Sequence, residues 1–294
     1  MNAAVVIPAR FASTRLPGKP LLLVAGKPVI QYVYENARRA RSVSDVLVAT
    51  DDQRILDAVL SFGGKAVMTS PDCPSGSDRV AEVVRRSLVH ADVIVNLQSD
   101  EPELRPDQLD TLVQAMDAPD VLMATLAVPL DDPSALADPS QVKVVTDLKG
   151  DALYFSRAPI PVYRDAALLP PAVSSSGGVR CAECGAPSVV GGARCAVCGA
   201  PSVVGGVRCA ESGVRCSPFL RHLGVYAYRP EFLLSLSRLA PTPLERAEKL
   251  EQLRVLEHGH RIRVALTDFC PTGIDTPDDL ERFRRSVESP TQRR

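Results

Sequence analysis

The segment AAVVIP (3–8) is a short apolar run that leads into a polar loop, and two later segments, at 45–50 and 91–97, have the same character. Apolar residues recur at helical spacing after the first two runs, within 28–41 and 52–62. Short, fully apolar runs are typical of strands that are buried on both faces of a parallel sheet. The first third of the chain therefore predicts an alternation of strands and helices.

This alternation predicts an α/β fold with an open, mostly parallel, Rossmann-like sheet. Ligands bind such sheets at the carboxyl ends of the strands, so we expect a site in the loops after Ile7, Thr50 and Leu97. The other predicted strands lie at 65–68, 121–130, 142–147, 151–156, 222–229 and 261–266, and the other predicted helices lie at 77–89, 230–237, 244–258 and from about 277.

The charge of the chain is balanced, with 34 Lys and Arg residues against 35 Asp and Glu residues. This balance argues against general binding to nucleic acid. The sequence has no apolar run of the ~18 residues that a membrane span requires, and its first residues lack the order that is typical of a signal peptide. We therefore expect a cytoplasmic protein with no nucleic-acid or membrane partner.

The loop after the first strand, PARFASTRLPGKP (8–20), contains three cations, Arg10, Arg15 and Lys19, together with the hydroxyl of Ser13. In an open α/β sheet this loop faces the ligand, and a triphosphate is the natural counter-charge for three cations. Neither a Walker motif nor a dinucleotide-binding glycine motif is present here. The alternative interpretation is a solvated basic loop without function.

Residues 174–217 differ in composition from the rest of the chain and repeat with a period of 14 residues. Six of the 8 cysteines lie in this segment: Cys181, Cys184, Cys195, Cys198, Cys209 and Cys216. Two Cys-x-x-Cys-Gly units are typical of zinc knuckles. The near-identity of the repeats instead indicates a tandem duplication, and their Gly, Pro and Ser content favours disorder. Both alternatives, structural zinc and a disordered addition, remain open.

Ten sequence blocks resemble, in the same order, those of the 3-deoxy-manno-octulosonate (Kdo) cytidylyltransferase family within the nucleotide-sugar cytidylyltransferases. The blocks are VVIPARFASTRLPGKPL (5–21), ATDD (49–52), CPSGSDRVAEV (73–83), VNLQSDEP (95–102), MATLAVP (123–129), VKVV (142–145), ALYFSRAPIP (152–161), FLRHLGVYAYR (219–229), PLERAEKLEQLRVLEHG (243–259) and PTGIDTPDDLERF (271–283). The resemblance covers nearly the whole chain apart from 174–217.

The resemblance implies transfer of CMP from CTP to the anomeric hydroxyl of Kdo, with release of pyrophosphate, for lipopolysaccharide biosynthesis. It also implies a homodimer. We therefore expect 1–294 to form a single nucleotidyltransferase domain with a smaller substrate and dimerisation subregion, interrupted by 174–217.

The resemblance assigns roles to residues at the expected site. Catalytic roles fall to Arg10, Lys19, Asp100 and Asp275. CTP-binding roles fall to Arg10, Ser13, Arg15, Lys19, Ser75, Gly76, Ser77 and Arg79. Sugar-binding roles fall to Gln98, Arg157, His222, Tyr226, Glu245 and Gln252, with Arg157 as the partner of the sugar carboxylate because a planar guanidinium suits that group.

The resemblance makes Asp100 and Asp275 the ligands of Mg²⁺, a hard cation that takes one or two carboxylates and fills its shell with water and phosphate oxygens. The sequence alone gives Asp275 another interpretation, since an Asp before Thr-Pro is a good helix N-cap. Ser77 has the same alternative, as the N-cap of the helix at 77–89. The family commonly has Gly where this chain has Ser99, so the backbone beside Asp100 is expected to differ slightly.

Two other functions remain open. One is CMP transfer to a related acid sugar, such as 8-amino-Kdo or a sialic acid, with the same arginine for the carboxylate. The other is a zinc-dependent interaction module in which 174–217 binds a partner and the catalytic blocks are vestigial. The presence of all three loop cations and both aspartates counts against the second alternative.

Overall fold

The computed structural model describes residues 1–12, 16–130, 133–162 and 219–288. Ser13 and Arg15 of the predicted triphosphate loop lie outside the described residues, and so do all six cysteines of 174–217. The single-domain assignment and both interpretations of the repeat segment therefore stay predictions.

In the described part of the chain, nine strands form one sheet, whose main path has the order β11-β7-β10-β6-β1-β4-β5. Strands β8 and β9 extend it beside β10, and β2 and β3 form a separate hairpin. The strands are β1 (Ala3–Ala9), β2 (Leu23–Val24), β3 (Lys27–Pro28), β4 (Val43–Thr50), β5 (Ala66–Met68), β6 (Val93–Asn96), β7 (Met123–Pro129), β8 (Lys143–Thr146), β9 (Ala152–Ser156), β10 (Leu220–Tyr228) and β11 (Arg263–Leu266).

Six of the strands on this path run in the same direction, and β10 runs against both of its neighbours, β6 and β7. The prediction of an open, mostly parallel α/β sheet is confirmed. All seven residues of β1 are buried, because β1 lies inside the path, between β6 and β4, with helices on both faces of the sheet. This explains why its sequence is a continuous apolar run rather than an alternating one.

The helices of the described residues are α1 (Val29–Arg38), α2 (Gln53–Ser61), α3 (Gly76–Arg85), α4 (Pro106–Gln114), α5 (Pro133–Ala137), α6 (Pro230–Leu236), α7 (Pro243–Glu248), α8 (Gln252–Glu257) and α9 (Pro277–Glu288). Apolar side chains of α1, α2 and α4 pack on one face of the sheet. Those of α3, α6 and α8 pack on the other face. None of these helices has the length and hydropathy of a membrane span, and even α9 has only 12 residues.

The predicted helix at 244–258 is wrong as a single element, because α7 ends at Glu248 and α8 begins at Gln252. Lys249 between them is left-handed, with a φ of 55°, which terminates α7. Leu250 and Leu253 are buried, but Ala247 is exposed. The apolar periodicity therefore continues through a break that it does not reveal.

Candidate active site

The short 3₁₀ turn Lys19–Leu21 brings the Lys19 side chain to the carboxyl end of the sheet. Gly18 before it has a φ of +69°, and a Cβ there would lie 3.0 Å from the ring of Phe11. A side chain at this position would therefore be strained and crowded, so glycine is required by the turn. The result is a buried ammonium group, since Lys19 is only 8% exposed.

The ammonium group of Lys19 lies between two carboxylates, at 2.7 Å from Asp100 Oδ2 and 3.0 Å from Asp275 Oδ1. Asp100 follows β6, and Asp275 lies in the segment that leads into α9. Burial acts to lower the pKa of Lys19, but the two carboxylates outweigh it and hold that pKa above its ordinary value. The three charges meet at the edge where the strand order predicts a ligand.

Asp275 does not cap α9. Instead, the hydroxyl of Thr276 accepts a hydrogen bond from the backbone N–H of Asp279, and the carboxylate of Asp279 accepts hydrogen bonds from the backbone N–H groups of Asp275 and Thr276. The N-cap interpretation of Asp275 is therefore wrong, because neighbouring residues satisfy the start of the helix. The Asp275 carboxylate is turned to Lys19 instead.

Asp100 and Asp275 fit a hard divalent cation. Their carboxylate oxygens both lie within 3.0 Å of a single nitrogen, so they already converge on a site of positive charge. The described residues contain no cluster of three or more His, Cys, Asp or Glu side chains arranged around a metal. A pair of carboxylates is nevertheless a set that Mg²⁺ accepts when phosphate oxygens and water complete its shell.

Glu101, next to Asp100, is a buried acid that sequence reasoning missed. Its Oε2 is buried without a hydrogen-bond partner, and burial together with the charge of Asp100 raises its pKa to about 8. The Oε1 atom lies 3.1 Å from where a Cβ on Gly273 would stand. Glu101 thus packs against Gly273, two residues before Asp275.

The loop PSGSDR (74–79), which is predicted to bind CTP and is called the CTP loop below, lies beside β1 and β6. A Cβ on Gly76 would meet Pro8 Cγ at 3.3 Å and the Gln98 side-chain amide at 3.7 Å, so this glycine permits the loop to approach both strands closely. Arg10, from the β1 loop, donates a hydrogen bond to the backbone carbonyl of Cys73. These contacts join the cationic loop, the CTP loop and the end of β6.

The cap of α3 is Ser75, whose hydroxyl accepts a hydrogen bond from the backbone N–H of Asp78 at 3.2 Å, so the N-cap interpretation of Ser77 is wrong. Ser77 instead donates to Glu251 Oε2 at 3.0 Å, and the Ser75 hydroxyl lies 2.8 Å from Asp78 Oδ2 and 3.0 Å from Glu251 Oε1. Arg79 is fully buried and ion-paired with Asp51 at 2.8 Å. The Arg79 guanidinium therefore connects the start of α3 to Asp51, the residue that follows β4.

Glu251 is the second functional candidate that sequence reasoning missed. It holds both serines of the CTP loop, and burial raises its pKa. The predicted sugar ligand Glu245, by contrast, is ion-paired with Arg254 at 2.5 Å and accepts a hydrogen bond from the backbone N–H of Thr242 at the start of α7. The sequence feature that could have indicated Glu251 is its position, since it directly precedes the predicted ligand Gln252.

Gln98 donates to Asn96 Oδ1 at 3.3 Å, and Asn96 Nδ2 donates to Ser77 at 3.4 Å, so a polar chain runs from the CTP loop to the end of β6. Tyr226 pairs with Asn96 across the sheet. Gln252 is buried, and its Nε2 has no hydrogen-bond partner. Gln98 and Tyr226 are thus both neighbours of Asn96, which contacts Ser77, and their roles in a sugar site stay predictions.

Arg157 follows β9 and is held by α7. Its Nε donates to the Glu248 carbonyl at 2.8 Å, its Nη1 donates to the Pro139 carbonyl at 3.0 Å, and its backbone N–H donates to the Glu248 carboxylate at 2.9 Å. No carboxylate in the described residues forms an ion pair with this guanidinium. Its charge is thus positioned by neutral carbonyl groups.

His222 is buried between two rings, with centroid distances of 5.0 Å to Phe155 and 5.4 Å to Tyr226. Burial lowers its pKa to about 3, so the imidazole is neutral near pH 7. Tyr226 pairs with Asn96, the last residue of β6, and β10 runs antiparallel to β6. His222 therefore lies beyond the carboxyl end of β6, on the part of β10 that projects past it.

Comparison with known proteins places the chain in one family. A family model described as Cytidylyltransferase matches residues 4–262. A 3-deoxy-manno-octulosonate cytidylyltransferase of Solibacter usitatus is 43% identical, over 95% of this chain and 92% of the relative. A protein of the same name from Geobacter sulfurreducens is 44% identical, over 98% of this chain and 100% of the relative.

A solved structure of a CMP:2-keto-3-deoxy-manno-octonic acid synthetase complexed with CTP is 40% identical to the chain. It superposes with a TM-score of 0.77, over 98% of this chain and 99% of that one. Sequence and fold agree over nearly the full length of both proteins. The chain therefore belongs to the 3-deoxy-manno-octulosonate cytidylyltransferase family of cytidylyltransferases.

Proposed function

We propose that this protein is a Mg²⁺-dependent enzyme that transfers CMP from CTP to the anomeric hydroxyl of Kdo and releases pyrophosphate. The observation that carries the proposal is the convergence of Lys19, Asp100 and Asp275 at the carboxyl end of the sheet. Relatives that bear the Kdo cytidylyltransferase name match the chain over nearly its full length. A synthetase complexed with CTP matches its fold.

The cationic loop has the charge that a triphosphate requires. Lys19 contributes a buried ammonium group, and Arg10 contributes a guanidinium that is tied to the CTP loop through Cys73. An arginine binds two phosphate oxygens at once, whereas a lysine acts as a point charge. These groups stabilise the negative charge that develops on the leaving pyrophosphate. Ser13 and Arg15 complete the loop in this proposal.

Asp100 and Asp275 are the residues that would hold Mg²⁺. When bound, Mg²⁺ neutralises phosphate oxygens and so permits a nucleophile to approach the α-phosphorus. The two carboxylates would hold the metal at the carboxyl end of the sheet. Lys19 keeps them together before the substrate arrives.

The sugar acid is placed by the polar groups beyond β6. Arg157 is proposed to bind the Kdo carboxylate, and Gln98, His222, Tyr226 and Gln252 are proposed to bind its hydroxyls, whereas the predicted ligand Glu245 is already ion-paired with Arg254. The anomeric oxygen then bonds to the α-phosphorus, the bond from that phosphorus to the pyrophosphate oxygen breaks, and the hydroxyl proton passes to solvent. A direct in-line displacement needs no nucleophile from the enzyme, so positioning and charge supply the catalysis.

A pyrophosphate-release assay with CTP, Mg²⁺ and Kdo tests this function. We expect turnover that requires all three components and that is lost on chelation of the metal. ATP and UTP are the matched nucleotide controls. A folded protein that releases no pyrophosphate with CTP and Kdo would contradict the proposal.

The alternative within the same chemistry is another acid sugar, because a guanidinium at Arg157 suits any sugar carboxylate. Competition of 8-amino-Kdo and of a sialic acid against Kdo in the same assay separates these substrates. The substrate with the highest kcat/KM is the physiological class, and we expect it to be Kdo.

We further propose that the enzyme is a cytoplasmic homodimer that feeds lipopolysaccharide biosynthesis. The solution mass of the purified protein tests the dimer.

For residues 174–217, the spacing of the cysteines supports structural zinc, and their near-identical repeats support a disordered addition. Metal analysis of protein purified without chelator decides between these two interpretations. Less than one zinc ion per chain would contradict the structural-zinc interpretation.

A further inference from the structure

Thr125 of β7 is a fully buried residue whose hydroxyl contacts three polar atoms. Its Oγ1 lies 3.0 Å from His222 Nε2, 2.8 Å from the Val225 carbonyl oxygen and 3.2 Å from the Leu223 carbonyl oxygen. All three partners belong to β10, the strand that carries two of the predicted sugar ligands. Thr125 therefore connects the sheet to the ring of His222.

A β-bulge explains why two carbonyl groups point at one hydroxyl. In the pairing of β10 with β7, Leu223 stands opposite Leu126, and the next paired residue, Tyr226, stands opposite Thr125. Gly224 and Val225 have no partner in this register, so the ladder leaves carbonyl groups of this segment available to a side chain. Bulges of this kind re-aim side chains next to active sites.

The direction of the hydrogen bonds follows from counting protons. A threonine hydroxyl has one proton, and a backbone carbonyl only accepts. The proton therefore goes to the nearer carbonyl, that of Val225. The Thr125 oxygen is left as an acceptor toward His222, so the imidazole proton must reside on Nε2.

The other ring nitrogen, Nδ1, then has no proton and carries a lone pair. Among the residues that the structure describes, Nδ1 of His222 has no hydrogen-bond partner. His222 as a whole residue is 8% exposed, and it lies beyond the carboxyl end of β6, where the sugar is expected. A neutral imidazole in this tautomer accepts a hydrogen bond from whatever occupies that space.

We propose that Thr125 is a positioning residue that fixes the Nε2–H tautomer of His222, so that Nδ1 accepts a hydrogen bond from a hydroxyl of the acid sugar. This inference rests on the proposed function for the identity of the sugar. It implies selectivity at that position, because a hydroxyl or an amine donates to Nδ1 whereas an ether oxygen or a fluorine does not. Thr125 acts through His222 and does not touch the substrate.

The first test is nuclear magnetic resonance of the intact protein with ¹⁵N-labelled histidine rings. The chain has 4 histidines, and the His222 signals are identified by their loss in His222→Gln. We expect a neutral ring that is protonated at Nε2 and unchanged between about pH 5 and pH 8. A ring protonated at Nδ1, or at both nitrogens, overturns the inference, and this measurement needs no substrate.

The second test is Thr125→Val, which keeps the shape of the side chain and removes the oxygen. We expect the KM for Kdo to rise by about tenfold, as for the loss of one hydrogen bond, while the KM for CTP stays the same. We also expect the His222 signals to show a mixture of tautomers. Thr125→Ser restores the hydroxyl and is expected to rescue both the tautomer and the KM for Kdo.

The outcomes separate this inference from the proposed function. A changed tautomer with an unchanged KM for Kdo overturns the inference, because His222 then does not bind the sugar. If the wild-type enzyme releases no pyrophosphate with Kdo, the proposed function fails, whereas the tautomer result still decides the role of Thr125. If Thr125→Val does not fold, the wild-type spectrum carries the test, because a ring protonated at Nδ1 still overturns the inference.

Discussion

Lys19 Nζ and Asp275 Oδ1 lie 3.0 Å apart although 256 residues separate them in the sequence. Replacement of Lys19 by methionine removes the charge between the two carboxylates and a cation from the triphosphate loop. We expect kcat/KM to fall on the order of 100-fold, as for the loss of one pre-organised charge at a transition state. Steady-state pyrophosphate release measures it. Lys27→Met, which breaks a half-exposed ion pair with Glu35, is the matched control.

Asp100→Asn keeps the shape of the side chain but removes its charge. We expect turnover to be lost while the circular dichroism spectrum and the melting temperature of the fold persist, because a neutral amide is a poor ligand for a hard cation. Asp45→Asn, at an ion pair with Lys65 away from the site, is the control. Full activity of Asp100→Asn with Mg²⁺ would remove Asp100 from the metal site.

Arg157→Ala removes a guanidinium that the structure fixes through the carbonyl groups of Glu248 and Pro139. We expect the KM for Kdo to rise roughly 10- to 100-fold, the range for a hydrogen-bonded charge, with a much smaller change in the KM for CTP. Both constants come from the pyrophosphate assay with one substrate varied at a time. The opposite ranking of the two KM values would place Arg157 outside the sugar site.

Glu251→Gln and Glu245→Gln compare two acids on neighbouring short helices. Glu251 holds Ser75 and Ser77 of the CTP loop, so we expect its replacement to lower kcat/KM by about tenfold. Glu245 is bound by Arg254, so we expect its replacement to cost about 1–3 kcal/mol of unfolding free energy and to change kcat/KM less. Urea denaturation and kinetics on both variants measure this, and the reverse order would make Glu245 the sugar ligand.

His222 makes the stability of the protein depend on pH. Burial lowers its pKa to about 3 from an ordinary value of 6.5, so between these values the unfolded chain binds more protons than the folded one. The contribution of the neutral His222 ring to the free energy of unfolding is complete above pH 6.5. It is lost as the pH falls toward 3, by up to about 1.4 kcal/mol per pH unit. Urea midpoints at several acid pH values measure the slope.

We expect His222→Gln to reduce this acid slope, since glutamine does not titrate in this range. His258→Gln, which replaces an exposed histidine, is the matched control. Equal slopes for the wild type and His222→Gln would show that the ring is not held neutral by its surroundings.

The fold was predictable where the sequence pattern is local. The apolar run at 3–8 became β1, and the loop after it delivered Lys19 to the site, because parallel strands direct their carboxyl ends to one edge. The break at Lys249 was not predictable, since apolar residues continue on both sides of it. It depends instead on tertiary contacts: Glu248 accepts hydrogen bonds from Ser156 and from the backbone N–H of Arg157.

The site shows the same division. The resemblance named Asp100 and Asp275, but only the structure places Asp275 beside Lys19 rather than at a helix cap. Glu251 was missed because its role depends on hydroxyl groups that are more than 170 positions away in the chain, at sequence separations of 176 and 174. No periodicity or spacing in a single segment reveals such a pair.

The position of β10 determines the order in which the sheet can form. Strands β6 and β7 are neighbours along the chain, yet they do not pair with each other in the described sheet, because β10 lies between them. The pairings of β6 and of β7 with β10 therefore form only after residues 220–228 have been synthesised, and these residues follow the long repeat segment in the chain. A chain that stops before β10 would leave β6 and β7 with unpaired edges, and such edges are prone to aggregate. We expect nascent or truncated forms to depend on chaperones until this late strand has been inserted.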